Sequence, residues 1–117
     1  LDYLMRLILF CAEWCGSCRE FKEHFNSINR DELSKVWLDI EDDASLIDEI
    51  DIDNLPTILA VSGDGHTYYF GEIPPNKTFL EKILQDISLA KLAPSTMPKS
   101  LADLVATIAK RQSNLDD

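Results

Sequence analysis

The sequence predicts an α/β domain with a mixed sheet, and three observations support this class. The run YLMRLILFCA near the beginning is apolar apart from Arg6, as in a strand that is covered on both faces. A helical pattern and a second strand pattern follow, and this strand–helix–strand order predicts a right-handed parallel unit. Farther along, two β-rich runs on either side of the turn signal SGDG predict an antiparallel hairpin.

The first elements follow from the spacing of their apolar side chains. The first helix has an apolar face with spacings of three, four and three residues, formed by Cys18, Phe21, Phe25 and Ile28. The second strand alternates within KVWLDI, and one side of it consists of Val36, Leu38 and Ile40. A short helix, capped by Asp42 or Asp43, should then carry apolar residues 46, 47 and 50 until the segment DNLP stops it.

The C-terminal half is predicted to contain the hairpin strands TILAV and HTYYF and two further helices. Gly71 ends the second hairpin strand and is expected to form a bulge there. One helix begins near Asn76, and the last begins at Ser100, whose spacing from Asp103 fits a capping box. The last helix has an apolar stripe, formed by Leu101, Leu104, Val105 and Ile108.

Length and composition limit the class of protein. A chain of 117 residues that is 45% hydrophobic suits one folded domain with one core. We expect this domain in residues 1–90, and a linker and a last helix, packed on the domain or on a partner, in residues 91–117. The net charge of −10 repels phosphate backbones, which excludes nucleic acid as a partner. No apolar run reaches the ~20 residues of a membrane span, so we expect no membrane partner, and we expect a monomer.

The number of cysteines bears on the compartment. Of the three cysteines, Cys15 and Cys18 form a C-x-x-C pair, and Cys11 is left over. Disulfide-stapled secreted folds normally have an even set, and a lone thiol persists most easily in a reducing compartment. We therefore expect a cytoplasmic protein, or a periplasmic one if an upstream signal was removed.

The C-x-x-C pair is consistent with either a metal site or a reactive dithiol. A structural zinc site needs four ligands, but His24 would face away from Cys18 on the helix, and His66 belongs to the remote hairpin. We therefore expect no metal. Cys15 falls at the junction of strand and helix, where unpaired N–H groups and the positive end of the helix dipole favour the reactive thiolate.

The two cysteines of the pair should have different tasks. Cys18 lies one turn after Cys15, at the start of the apolar stripe, so we expect an exposed Cys15 and a shielded Cys18. Cys15 would attack a substrate disulfide, and Cys18 would attack the mixed disulfide to release the product. C-x-x-C beside a strand–helix–strand unit is a thioredoxin-like sign. We expect no cofactor besides the redox-active disulfide Cys15–Cys18.

The stretches FCAEWCGSC, NLPT and YYFGE resemble the corresponding parts of thioredoxin-family proteins, over roughly residues 4–88. The resemblance implies a thioredoxin fold core, βαβ-α-ββ-α, with an extra C-terminal helix and without the family's usual first strand and helix. It implies a thiol–disulfide oxidoreductase with protein disulfides as substrates and a thiol or a reductase as electron donor.

The resemblance also implies how a substrate is held. The family's proline, here Pro56, is cis and lies against the dithiol, and the backbone of Leu55 would pair with an extended substrate segment. Trp14 would form a flat apolar wall for the substrate, with a place in the core as the alternative. Gly71 would lie at the same substrate surface, after the final strand.

Departures from the family affect how Cys18 loses its proton. The family's buried aspartate and its lysine partner correspond here to Leu9 and Trp37. Cys18 must therefore give its proton to water, to the departing sulfur or to Glu13, for which a surface position is the alternative.

The residues between the cysteines, Gly16 and Ser17, support the site. Ser17 replaces the family's proline, and its N–H and hydroxyl would stabilise the Cys15 thiolate. A stabilised thiolate favours the reduced form, so we expect a reduction potential above the ~−270 mV of thioredoxin.

Two alternatives stay open in the sequence. Cys11 is either a third redox thiol below the site or a small buried hydrophobe. The chain as a whole is either an oxidoreductase or a thioredoxin-like binding module, which would dock partners through Trp14, Leu55 and the last helix while its dithiol is idle or regulatory.

Overall fold

The computed structural model describes residues 5–12, 14–28, 33–42, 44–47, 50, 52, 54–63, 65–74, 76–89 and 95–115. The strands are β1 (Met5–Cys11), β2 (Leu33–Asp39), β3 (Thr57–Ser62) and β4 (Thr67–Glu72). The helices are α1 (Gly16–Ser27), α2 (Ala44–Ile47), α3 (Lys77–Ser88) and α4 (Lys99–Leu115). This order of elements confirms the predicted α/β class.

The strands form one mixed sheet in the order β2-β1-β3-β4. β1 and β2 are parallel, whereas β1–β3 and β3–β4 are antiparallel. In the register, Leu9 of β1 pairs with Trp37 on one side and with Ile58 on the other. The two central strands, β1 and β3, are the most apolar ones because they are covered from above and below.

Both faces of the sheet are buried, since side chains alternate across each strand. The face that packs against α1 and α3, which we call the α1–α3 face, includes from the central strands Leu7, Leu9, Cys11, Ile58 and Ala60. The face that packs against α4, which we call the α4 face, includes from the same strands Ile8, Phe10, Leu59 and Val61. The fold therefore has three layers, with the sheet in the middle.

Helix α1 has the predicted apolar face, which consists of Cys18, Phe21 and Phe25 and is continued by Ile28 at the C-cap. At its last turn, the Lys35 ammonium donates to the carbonyl oxygens of Phe25 at 3.1 Å and Asn26 at 3.0 Å. The Phe25 carbonyl also accepts from the Ile28 N–H at the C-cap, so Lys35 adds a second donor to the C-terminus of the helix. Desolvation of the ammonium by burial lowers the pKa of Lys35 from its usual 10.5.

Helix α3 begins as predicted, because Asn76 is its N-cap and accepts a hydrogen bond from the Thr78 N–H at 2.8 Å. The short helix is present as α2, and Asp43, one of its predicted caps, lies outside the described residues. The other candidate, Asp42, lies in the turn after β2, where its N–H donates to Asp39.

Helix α4 begins one residue earlier than predicted. Its first turn is closed by the Ala102 N–H, which donates to the Pro98 carbonyl at 3.0 Å, so Ser100 lies inside the helix and the predicted capping box is wrong. Pro98 supplies the first accepting carbonyl and has no N–H that would need a partner at this helix start. The apolar stripe is confirmed: Leu101, Leu104 and Ile108 are buried, and Val105 packs beside them.

The hairpin of β3 and β4 turns at Gly65, whose φ of 93° favours glycine. The predicted bulge at Gly71 is wrong, since Gly71 lies inside β4 and pairs with Ile58. The register shift occurs between Ala60 and Val61 instead, which makes Tyr68 the additional residue.

The linker before α4 extends the sheet, which the sequence did not lead us to expect. Ser95 forms an isolated antiparallel bridge with Thr67, with N···O distances of 2.9 and 2.8 Å. This bridge connects the edge strand β4 to the start of α4. Within the described residues, no helix combines the length and the apolar character that a membrane span requires.

Candidate active site

The three cysteines lie at the carboxyl ends of the parallel strands β1 and β2. Cys11, the last residue of β1, pairs with Asp39 of β2, and its carbonyl accepts from the Ile40 N–H at 2.8 Å. A tight turn follows, closed by the Cys15 N–H, which donates to the Ala12 carbonyl at 3.1 Å. Helix α1 then begins with Cys15 as its N-cap, so the first sulfur is located at the positive end of the helix.

The cysteines differ in exposure. Cys18 is fully buried, as predicted, and Cys11 is fully buried as well, both with 0% of their surface exposed. Cys15 is half-buried rather than exposed, because it packs against the hydrophobic cluster of the α1–α3 face. Cys15 is therefore the cysteine that a reactant can reach from solvent.

The disulfide in this structure joins Cys11 to Cys18, and Cys15 is a free thiol. The sequence predicts Cys15–Cys18 as the redox-active disulfide and leaves Cys11 open as a third redox thiol or a small buried hydrophobe. The Cα atoms of Cys11 and Cys18 are 5.7 Å apart, within the usual range for a disulfide. The sequence contained a signal for the contact between Cys11 and Cys18. Cys11 is two and four residues from Leu9 and Leu7 on β1, so its side chain lies on the same face and points at α1, where Cys18 begins the apolar stripe.

Trp14 is 63% exposed, which excludes the alternative of a core tryptophan. Its indole Nε1 donates to a carboxylate oxygen of Glu41. Asp39 shapes the turn that carries Glu41, because its side chain accepts from the Glu41 N–H at 2.8 Å and the Asp42 N–H at 3.0 Å. Sequence reasoning missed Glu41 as a site residue, since it is one of several acidic residues in a row.

Pro56 lies at the same edge of the sheet. The Leu55–Pro56 peptide bond is cis, as the family resemblance implies, and Pro56 is buried. The next residue, Thr57, pairs with Phe10, directly before Cys11. Leu55 is half-buried and packs against the clusters of both faces, so these residues adjoin the end of β1 at which Cys11 lies.

The remaining candidates differ in position. Gly16 and Ser17 are exposed in the first turn of α1. Gly71 is not after the final strand, as the resemblance implied, but inside it, opposite Ile58. Glu13 lies outside the described residues.

The positions of the family's buried charge pair are adjacent in this structure. Leu9 and Trp37 are register partners on β1 and β2, so the aspartate–lysine contact is replaced by an apolar one. The Lys22 ammonium lies over the Trp37 ring, 5.1 Å from its centroid, within the range of a cation–π contact. Among the residues with described positions, no three His, Cys, Asp or Glu side chains converge in a way that could hold a metal ion.

Comparison with known proteins agrees with this geometry. A family model described as Thioredoxin matches residues 4–87. A Dictyostelium discoideum protein provisionally named thioredoxin-4 is 31% identical over 93 residues, which cover 74% of this chain and 88% of that protein.

Solved structures are similar as well. Oxidised mitochondrial thioredoxin 3 from Saccharomyces cerevisiae is 25% identical, with a TM-score of 0.62 over 73% of this chain and 80% of that one. The thioredoxin Deadhead from Drosophila melanogaster is 17% identical, with a TM-score of 0.64 over 74% and 82%, and shows the shared fold. The fold and its neighbouring cysteines support a thiol–disulfide oxidoreductase in general terms, and the chain belongs to the thioredoxin family.

Proposed function

We propose that this protein exchanges protein disulfides, with Cys15 as the nucleophile and Cys18 as the resolving cysteine. The observation that carries this proposal is the difference between the two: Cys15 is the half-buried N-cap of α1, and Cys18 is buried one turn later. Nucleophile and resolving group need this arrangement, because only the first has to meet the substrate.

The reaction consists of two exchange steps. The Cys15 thiolate attacks one sulfur of a substrate disulfide, and the other substrate sulfur leaves as a thiolate. The Cys18 sulfur then attacks Cys15, which forms the Cys15–Cys18 disulfide and releases the substrate fully reduced. A thiol or a reductase returns the two electrons to the site. Leu9 and Trp37 offer no base at the family's position, so the Cys18 proton goes to water, to the departing sulfur or to Glu13.

Substrate recognition would use the surface around Cys15. The exposed Trp14, held by Glu41, offers an apolar wall. The backbone of Leu55, next to the cis Pro56, would take an extended segment, and Gly71 on β4 would border the same surface. Glu41 and Asp42 are exposed at the same edge, which favours substrates with basic residues near the disulfide.

Reduction of insulin with dithiothreitol as electron donor tests the activity. We expect turnover by the wild type above the rate of dithiothreitol alone, and its absence would contradict the proposal. Trapping tests the roles: Cys18→Ser should accumulate covalent adducts through Cys15, whereas the matched variant Cys15→Ser should accumulate far fewer. Equal yields from both variants would contradict the assignment of the nucleophile.

A binding module is the second candidate, and one observation favours it. Cys18 is bonded to Cys11 in this structure, so a partner could dock on Trp14 and Leu55 while the C-x-x-C pair is not available as a dithiol. Insulin turnover separates the two candidates, because a binding module has none with any thiol donor.

A further inference from the structure

Cys18 has a second sulfur partner, Cys11, which the proposed function does not use. Helical spacing puts Cys15 one turn before Cys18, and the end of β1 puts Cys11 against it, with Cα atoms 5.7 Å apart. All three cysteines contact the same cluster of the α1–α3 face. Cys18 is therefore within reach of two different thiols, one facing solvent and one in the core.

We propose that Cys11 is a third redox residue of this site, which takes the disulfide over from Cys15. The stable oxidised protein then contains a buried Cys11–Cys18 disulfide and a free Cys15 thiol, the state that this structure shows. The inference rests on the proposed function only for the origin of the first disulfide, since a substrate disulfide supplies the oxidation.

The step is an internal thiol–disulfide exchange, and its electrons balance without another reactant. The Cys11 thiol gives up its proton to water, and its sulfur attacks the Cys18 sulfur of the Cys15–Cys18 disulfide. The Cys11–Cys18 bond forms, the Cys15–Cys18 bond breaks, and the electron pair leaves with Cys15. One disulfide and one thiol are present before and after the step, and the Cys15 thiolate takes up a proton from solvent.

Burial gives this step its direction. A Cys11 thiol in the core has apolar surroundings, so its sulfur gives up no contact with water when it is incorporated into a buried disulfide. The departing Cys15 thiolate meets solvent and the N–H groups at the start of α1, which are the better surroundings for a charge. The attack itself needs a thiolate in the core, so we expect it to be slower than the release of substrate.

The consequence is a change in the kind of reaction that the site performs. With Cys18 held by Cys11, Cys15 still attacks a disulfide, but the resulting mixed disulfide has no resolving cysteine. The oxidised protein therefore retains its partner covalently, where the reduced protein would release it. Because both bonded sulfurs have 0% exposure, large thiol reductants reach this disulfide only when the site opens.

Peptide mapping tests the inference directly on the wild-type protein. The fully reduced chain is oxidised with one equivalent of diamide, quenched with acid, alkylated with N-ethylmaleimide in denaturant and digested with trypsin and the glutamate-specific protease. Cleavage after Arg6, Glu13 and Arg19 separates LILFCAE from WCGSCR. The two possible disulfides therefore give different products in the mass spectrum.

We expect most of the protein to yield LILFCAE linked to WCGSCR, with the alkyl group on Cys15. The proposal would be overturned if most of the protein yields WCGSCR with an internal disulfide, together with a separate, alkylated LILFCAE. Titration of the folded oxidised protein with Ellman's reagent should show one fast-reacting thiol per chain, because Cys15 is free. If Cys11 were the free thiol instead, it would react only after unfolding.

Two variants serve as matched controls. Oxidised Cys11→Ala should contain Cys15–Cys18 and no titratable thiol, and oxidised Cys15→Ala should still form Cys11–Cys18 within one chain. If Cys15→Ala yields only intermolecular dimers, the two sulfurs do not bond and the inference fails. Insulin turnover by Cys11→Ala separates the two proposals. Turnover by this variant, together with a Cys15–Cys18 disulfide in the oxidised wild type, overturns only the transfer of the disulfide to Cys11. A Cys11–Cys18 disulfide in the oxidised wild type, without turnover by the variant, overturns only the enzymatic function.

Discussion

The α1–α3 face and the α4 face of the sheet are equally well buried, yet all three cysteines lie on the first. The α1–α3 face falls within residues 4–87, which match the thioredoxin family, whereas α4 lies beyond them. Both faces pack apolar side chains at close to zero exposure. Burial alone therefore does not make a site: the α1–α3 face carries chemistry because it ends at a helix N-terminus beside the carboxyl ends of two parallel strands.

Cys15→Ser, at the edge of the α1–α3 face, should change activity most strongly. Insulin turnover should fall to the background of the thiol donor, because serine is a far weaker nucleophile at neutral pH. Within the described part of the chain, Cys15 makes no side-chain capping hydrogen bond to α1, and serine is a preferred N-cap, so the free energy of unfolding should rise by about 0.5–1 kcal/mol.

Urea unfolding under reducing conditions and an insulin assay on the same preparation check both parts. Cys15→Ala is the matched control, which should lose the activity without the gain in stability. Residual turnover in Cys15→Ser above that of Cys15→Ala would contradict the role of Cys15 as the sole nucleophile.

The next effect concerns the α4 face. Leu104→Ala should lower the free energy of unfolding by about 2–5 kcal/mol, since Leu104 is almost fully buried between α4 and the sheet. The kcat of the folded fraction should not change. Leu80→Ala on α3, equally buried on the other face, should cost a similar amount.

Chemical denaturation with the insulin assay at low temperature measures both quantities. Val105→Ala, at a half-buried position of the same helix, is the control and should cost less. A loss of kcat in Leu104→Ala without unfolding would contradict the separation of the two faces, because it would connect α4 to the chemistry.

A smaller effect is expected from Glu41→Ala, which removes the acceptor of the Trp14 indole. We expect a loss of about 0.5–1 kcal/mol in substrate binding, or about two- to five-fold in KM, with kcat unchanged. The adjacent Asp42→Ala is the control, since its carboxylate is also exposed but the indole is held by Glu41. Equal increases of KM in both variants would show that the effect comes from the lost negative charge alone and not from the hydrogen bond to Trp14.

The smallest effect concerns pH at the edge of the α1–α3 face. Desolvation by burial, and secondarily the Glu72 carboxylate, raise the pKa of Tyr69 above its usual 10.0. A raised pKa in the folded state contributes stability that is fully present below pH 10 and is lost as the pH rises through the folded value. Tyr69→Phe should therefore lose less stability than the wild type above pH 10.

Unfolding midpoints of the two proteins between pH 8 and pH 11 test this point. Tyr69 also donates to the Glu72 carbonyl at 3.0 Å, so Tyr69→Phe should show a constant offset at lower pH. Parallel curves over the whole range would contradict the assignment of this pH dependence to Tyr69.

Much of the fold was predictable because local patterns and the final structure agree. The apolar run of β1, the stripe of α1 and the stripe of α4 are all where the periodicity predicts them. The errors lie at boundaries. Serine at position 100 is a suitable residue type for an N-cap, but α4 already begins at Lys99. Glycine at position 71 is a suitable residue type for a bulge, but the register shift makes Tyr68 the additional residue. Boundaries depend on hydrogen bonds to other elements, such as Ser95 with Thr67, which periodicity does not report.

Local sequence patterns were sufficient to predict the order of the elements, the apolar faces and the position of Cys15 and Cys18 at the start of α1, because these depend on side chains a few residues apart. Three-dimensional packing was needed to show that Cys11 lies against Cys18, that Glu41 holds Trp14 and that α4 covers the second face of the sheet. The physical reason is distance along the chain. Such contacts form where separate elements meet, and the relative placement of β1, β2 and α1 is set by packing of the whole core.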